Sequence, residues 1–280
     1  MTSAAPGIPG TPAAPSAPAE RLRGHYGFAQ VARMEWIKLR TLRSTWWTLA
    51  ITAVGSVGMG VAIGFNTRNA AGDLTNNALA GMVPGLLFTG VLGVLAMTGE
   101  YTSGTIRATL TAAPRRVLLL AAKSAVFGAV TLALGEASAF VSFFAAGAAL
   151  RHGIAAPTLG QPGVLQAVAL SGTSFCLIGL LGLGLGAIIR HSPAAIGVLV
   201  GGVYVLAQMV GAFSHSAGIY MPILIVGNSI STTRTECVTG PGNGAQCIHF
   251  LSPWTGFGML CLYAAVPLVI GGWLLARRDA

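Results

Sequence analysis

Long apolar stretches separated by short polar ones dominate the chain after residue 45. Six of them approach or exceed the ~20 residues a helix needs to cross a bilayer: about 46–65, 79–98, 118–150, 164–189, 193–213 and 255–276. The third is longer than a bilayer requires, so it predicts a helix that tilts or protrudes, with Lys123 snorkelling from its first turns. The second contains Pro84, tolerable near one end of a span. Arg190, His191 and Ser192 read as a tight turn, with Pro193 placed to start the fifth span. The pattern predicts an all-α membrane protein with six transmembrane helices.

Ahead of the spans the pattern changes twice. Residues 1–24 form a Pro/Ala-rich tail that buries nothing and reads as disordered. It lacks the basic start and apolar core of a signal peptide. Residues 25–45 hold an amphipathic interfacial helix: over 28–43, Phe28, Val31, Leu39 and Leu42 share one face, while Gln30, Arg33 and Arg40 lie roughly opposite. Glu35 and Ile37 break that pattern, and the competing reading is a plain basic flank that sets orientation. Trp46 and Trp47 mark the membrane interface before the first span. The remainder, 46–280, is one six-span domain.

Composition sharpens the class. Of 280 residues, 54% are hydrophobic and 8% charged, against about 25% charged in an ordinary soluble domain. A net charge of +9 would suggest nucleic acid for a soluble chain; here it is orientation signal and headgroup contact. With the N-terminus inside, thirteen basic residues fall on inner segments: Arg21, Arg23, Arg33, Lys38, Arg40, Arg43, Arg107, Arg115, Arg116, Lys123, Arg190, Arg277 and Arg278. Only Arg68, Arg151 and Arg234 fall outside. That bias puts both termini in the cytoplasm.

Candidate chemistry inside the spans is sparse. Glu136 is the one acidic residue within a span, and a carboxyl there must face protein or water. It reads either as a lining residue of a substrate path or as a protonated acid hydrogen-bonded to a neighbouring Ser or Thr. Gln208 and Tyr204 are weaker path candidates. Gly81/Gly85, Gly182/Gly186 and Gly197/Gly201 are each four apart, which lets helices pack closely within the bundle or across a dimer interface. The long segment 214–253 carries Cys237 and Cys247 around a Gly/Pro-rich turn, a candidate disulfide outside the cytoplasm, with two free thiols as the alternative. Its apolar part, 219–226, is too short to span and suits a re-entrant or interfacial helix. Cys176 and Cys261 lie in spans as packing residues. His215 and His249 have no metal-ligand spacing to Cys or carboxylates, so no metal site is expected.

The most polar segment between spans is 99–123, GEYTSGTIRATLTAAPRRVLLLAAK. A charged hinge between two spans must face water or another protein. Its Glu100, Tyr101, Gly104-Thr105-Ile106-Arg107, Leu110-Thr111, Pro114-Arg115-Arg116 and Lys123 resemble the cytoplasmic hinge of ABC-2-type transporter permeases, the membrane subunits of bacterial six-span ABC exporters. The layout is also similar: a basic N-terminal arm, six spans and a long last outer loop. The resemblance implies that Glu100, Tyr101, Gly104, Thr105 and Arg107 form the coupling element that seats on a separate ABC ATPase. Charged residues can set register there through salt bridges. Arg115, Arg116 and Lys123 are assigned to anchoring at the cytoplasmic headgroups.

Absent motifs narrow the activity. No Gly-x-x-x-x-Gly-Lys-Ser/Thr phosphate loop, Gly-x-Ser-x-Gly elbow or His-Glu-x-x-His occurs in the chain. The chain is therefore read as a transport subunit and not an enzyme. It binds no cofactor itself, and ATP and Mg belong to the partner. The expected assembly is two permease copies, identical or not, with ATPase subunits, in the bacterial cytoplasmic membrane with its lipid and without nucleic acid. The expected cargo is an amphipathic drug, a lipid or a peptide-like molecule. The alternative is a secondary transporter or channel-like protein powered by an ion gradient, with Glu136 as its proton or cation site. A purely structural or assembly role is a third reading.

Overall fold

The computed structural model describes residues 27–67, 73–105, 116–150, 154–232, 235–239, 245–249 and 251–277. The expected tail, 1–24, lies outside the described residues, as do Arg107 and Arg115.

Among the described residues the regular elements are helices and one short hairpin. A first helix, α1 (Phe28–Thr41), is followed after one residue by α2 (Arg43–Asn66). Next come a short α3 (Leu74–Leu79), α4 (Met82–Thr102), α5 (Arg116–Ala148) and α6 (Val164–Ile189). The fifth span is composite: α7 (Ser192–Leu199), a π-helical stretch Val200–Val205 and α8 (Leu206–Phe213). Two short helices, α9 (His215–Gly218) and α10 (Pro222–Ser229), lead to strands β1 (Thr235–Thr239) and β2 (Ala245–His249). The last helix is α11 (Pro253–Arg277). Among the described residues six helical segments are long and apolar enough to cross a membrane: Arg43–Asn66, Leu74–Thr102, Arg116–Ala148, Val164–Ile189, Ser192–Phe213 and Pro253–Arg277.

Local chemistry explains the boundaries. Gly163 opens α6 and Arg190 closes it, both left-handed (φ 84° and 59°). Arg190 thereby makes the tight turn, and Pro193 falls in the first turn of α7, where a missing N–H costs nothing. Asp73 caps α3 by accepting from the N–H groups of Thr75 and Asn76 at 3.0 and 3.1 Å. The π stretch carries the pair Gly201-Gly202, which weakens the α preference where the helix widens. At 33 residues α5 is about 50 Å long, more than the hydrocarbon core is thick.

Helix α6 is the centre of the bundle, packed by α4, α5 and α11. Its glycines make this geometry. A Cβ on Gly93 of α4 would collide with the Gly179 carbonyl, and one on Gly182 would collide with that of Gly90. The two backbones approach as only small residues allow. Phe127 and Phe175, 2% and 0% exposed, fill the space beside them. The remaining pairs divide. Gly81 and Gly85 pack on α2 at Ser56 and Gly60, and Gly186 on Val94 and Met97, whereas Gly197 and Gly201 meet no side chain or backbone of the described residues. The fifth span is correspondingly the least covered. About 17% of its apolar window is buried, against 61% for α6.

The two ends of the bundle are defined by contacts. At one end α1, the hinge flanks and the last turn of α11 meet, since Arg116 donates to the Leu275 carbonyl at 3.2 Å. At the other, Asp73 accepts from the Ser231 hydroxyl at 2.9 Å and from the Thr232 N–H, tying the start of α3 to the segment after α10.

Helix α1 turns only part of its apolar stripe toward the bundle. Phe28 and Leu42 are 48% and 52% exposed, and the buried residues are Val31 and Glu35. Val31 packs with Leu119 and Ala122 of α5. The reason lies in the partner of Glu35.

Candidate functional site at the hinge

The hinge flanks and α1 meet in a ring of four charges. Glu35 comes from α1, Glu100 from the end of α4 and Lys123 from α5, seven residues past its start. That places Lys123 about 10 Å along the helix from Arg116. Lys38, one turn after Glu35, is the fourth. Lys38 Nζ contacts Glu35 Oε1 at 3.1 Å and Glu100 Oε1 at 3.0 Å. Lys123 Nζ contacts Glu100 Oε1 at 2.8 Å and Glu35 Oε2 closely on the other side. Acid and base alternate around the ring, so its formal charge sums to zero and like charges are separated by opposite ones.

Burial makes the arrangement consequential. The side chains of Glu35, Lys123 and Glu100 are 2%, 8% and 11% exposed; Lys38, at 35%, covers the open side. An isolated charge at such a site costs several kcal/mol, roughly, and is tolerated only when paired and hydrogen-bonded. For Lys38, outside the spans, burial alone would lower the ammonium's pKa. The carboxylates of Glu35 and Glu100 outweigh it and hold the pKa above the ordinary lysine value. Glu100 Oε2 is buried and finds no hydrogen-bond partner among the described residues.

Two expectations change here. Lys123 does not snorkel to the headgroups, because α1 lays Glu35 over it and offers a closer pair of oxygens. Glu100 is not presented as a free charge to a partner chain, because its Oε1 is shared by two ammonium groups. Arg116 also spends a donor inside the protein, on the Leu275 carbonyl. Tyr101 lies beneath the Arg190 guanidinium, 5.2 Å from its ring centre, which joins the hinge to the α6–α7 turn.

The chain then turns outward. Thr102, Ser103, Gly104 and Thr105 are exposed. Gly104 adopts φ +69°, a left-handed conformation that favours glycine and carries the chain off the end of α4. Ser103 and Thr105 hydroxyls share a 2.8 Å hydrogen bond across it. The polar hinge therefore leaves a charge-locked base as an exposed turn.

The other predicted residues lie elsewhere. Glu136 of α5 is half-buried against α6, where Thr173 Oγ1 lies 2.9 Å from its Oε1. Gly172 makes the room, since a Cβ there would come within 2.7 Å of Glu136. Tyr204 sits in the π stretch with a buried hydroxyl that finds no partner among the described residues, while Gln208 is exposed on the same span. The hinge ring brings neither Tyr204, Gln208 nor Glu136 into its neighbourhood. The hairpin register places Cys237 opposite Cys247.

Glu35 and Lys38 were missed as site residues. The signal was present: Glu35 interrupts the apolar face of α1 and Lys123 interrupts the start of a span. Two lone opposite charges in apolar contexts are candidates for each other.

No match is found among curated proteins. The sequence model of the ABC-2 family transporter proteins matches residues 29–280, from the second residue of α1 to the end of the chain. With six apolar helices and that match over nearly its whole length, the chain is a multi-pass membrane protein that belongs to the ABC-2 family of transporter permeases.

Proposed function

We propose that the chain is the permease subunit of an ATP-driven exporter in a bacterial cytoplasmic membrane, with its hinge end in the cytoplasm. A separate ABC ATPase carries ATP and Mg and seats on the hinge. The observation that carries this reading is the exposed turn Ser103–Thr105 rising from a buried, charge-paired base. A push on such a turn is delivered to two spans at once and is not absorbed by a loose loop. The basic flanks favour the cytoplasmic orientation.

A second permease copy completes the assembly along the fifth span. Its face with Gly197, Gly201 and Gln208 is exposed, has open space beside both glycines, and offers an amide where lipid would give it no partner. The cargo is an amphipathic drug, a lipid or a peptide-like molecule, and it moves outward.

The test is affinity capture of the tagged permease from mild detergent, with identification of bound chains and an ATPase assay. A stoichiometric ABC ATPase, lost when Gly104→Pro, which cannot adopt the φ of +69° found there, disrupts the exposed turn, is the expected result. Capture of the permease without any ATPase, from cells that express the neighbouring genes, would overturn it.

A further inference from the structure

We propose that Glu35, Lys38, Glu100 and Lys123 form an ionic clasp that makes α1 a structural part of the hinge, so that α1 and both hinge flanks move as one body during the transport cycle. This rests on the reading that a separate ATPase acts on the hinge. Glu100 and Lys123 bracket the hinge in sequence, and their 2.8 Å contact closes its base. Without that contact α4 and α5 could splay when the hinge is pushed. Glu35 and Lys38 extend the closure to α1, each reaching a charge on one flank while contacting each other at 3.1 Å. Every member has two opposite-charged neighbours, so releasing α1 leaves buried Lys123 and Glu100 each short of one. Apolar packing of Val31 on Leu119 and Ala122 adds to the attachment. By contrast α1 makes little contact with α2, its neighbour in sequence. The first helix is thus bound more firmly to the hinge than to the span it precedes.

The clasp is tested with spin labels at Arg33→Cys on the exposed side of α1 and Val117→Cys at the exposed start of α5, in nanodiscs. The permease is measured alone, and with its captured ATPase with and without vanadate-trapped nucleotide. In the otherwise unchanged protein the label separation is expected to stay the same in all three states. In Lys123→Met its distribution is expected to broaden in the permease alone and to shift with nucleotide, while the ATPase remains bound and hydrolyses ATP. Should Lys123→Met fail to insert, Glu100→Gln breaks the ring while keeping the Glu35–Lys123 pair, and a partial broadening is expected. A nucleotide-dependent separation in the unchanged protein would overturn the proposal. So would superimposable distributions for the ring variant and the unchanged protein. If no ATPase is captured, the partner reading fails, and the permease-alone comparison still decides the clasp.

Discussion

Glu136 shows how much one hydroxyl can settle. Thr173 Oγ1 lies 2.9 Å from the carboxyl and 2.8 Å from the Ala169 carbonyl, yet a hydroxyl has one proton to give. Thr173 shares that proton between the two acceptors, and the Glu136 carboxyl oxygen accepts in this contact. An amide oxygen can stand in for that acceptor. Glu136→Gln is therefore expected to insert normally and to keep ATP-driven transport, or substrate-stimulated ATPase activity, within about twofold. Glu136→Ala should cost roughly the 0.6 kcal/mol typical of such contacts in membranes, read as a lower unfolding temperature in detergent. An ion-gradient carrier with Glu136 as its proton site behaves oppositely, and Glu136→Gln would abolish its uptake. The charge ring differs in kind. Its groups are ionic, and they are tolerated there only because each finds an opposite charge on another element.

At the scale of elements, glycine contacts separate two kinds of helix face. Gly182 on α6 faces the Gly90 backbone, so Gly182→Leu forces α4 and α6 apart and should destabilise the permease by at least the ~1–3 kcal/mol typical of overpacking. Gly197→Leu meets open space and should leave the monomer's unfolding temperature unchanged. If the fifth span seats the second copy, the same change lowers the dimer fraction in size-exclusion chromatography with light scattering. At the far end, Asp73 joins α3 to the segment after α10. Burial would raise its pKa, but the N–H groups of Asn76 and Thr232 and the Ser231 hydroxyl outweigh it and hold the carboxyl below the ordinary value of 3.8. The depressed pKa means that this stabilisation is fully present above the ordinary value. It is lost as pH falls through the lower, folded-state value. Asp73→Ala should therefore lower the unfolding temperature at neutral pH, by the equivalent of about 1 kcal/mol for the lost cap. Its deficit should shrink below pH ~4, where the carboxyl begins to protonate in the unfolded chain.

The whole molecule has one polar, charge-locked end and, at the other, a hairpin that emerges between α10 and α11. In the proposed orientation, with the hinge end in the cytoplasm, that hairpin is outside. Its register sets Cys237 opposite Cys247, so the two thiols are expected to be oxidised to a disulfide by exchange with an external disulfide donor, which is reduced in turn. A membrane-impermeant maleimide on intact cells should label the pair only after reductant. Labelling without reductant would refute the bond, and failure to label after reductant and permeabilisation-dependent labelling would place the hairpin inside.

The sequence by itself determined the class of this protein and most of its elements. Apolar runs of bilayer length have no stable state in water, and in lipid they must be helical to satisfy their own backbone. Helix ends were legible at Pro193 and at the Arg190 turn for the same local reason. The polar hinge at 99–123 stood out because charge is rare in such a chain. Tertiary structure alone decided which way the charges face. The apolar spacing of Phe28, Val31, Leu39 and Leu42 predicts an interfacial helix with one apolar face, and the fold buries Val31 of that face together with the charged Glu35. That choice depends on Lys123, 88 residues further on, and on Glu100 between them. A periodicity read within one helix carries no information about a charge presented by another. Burial of an ion is favourable only when its partner is brought to it, and that meeting exists only in the packed bundle.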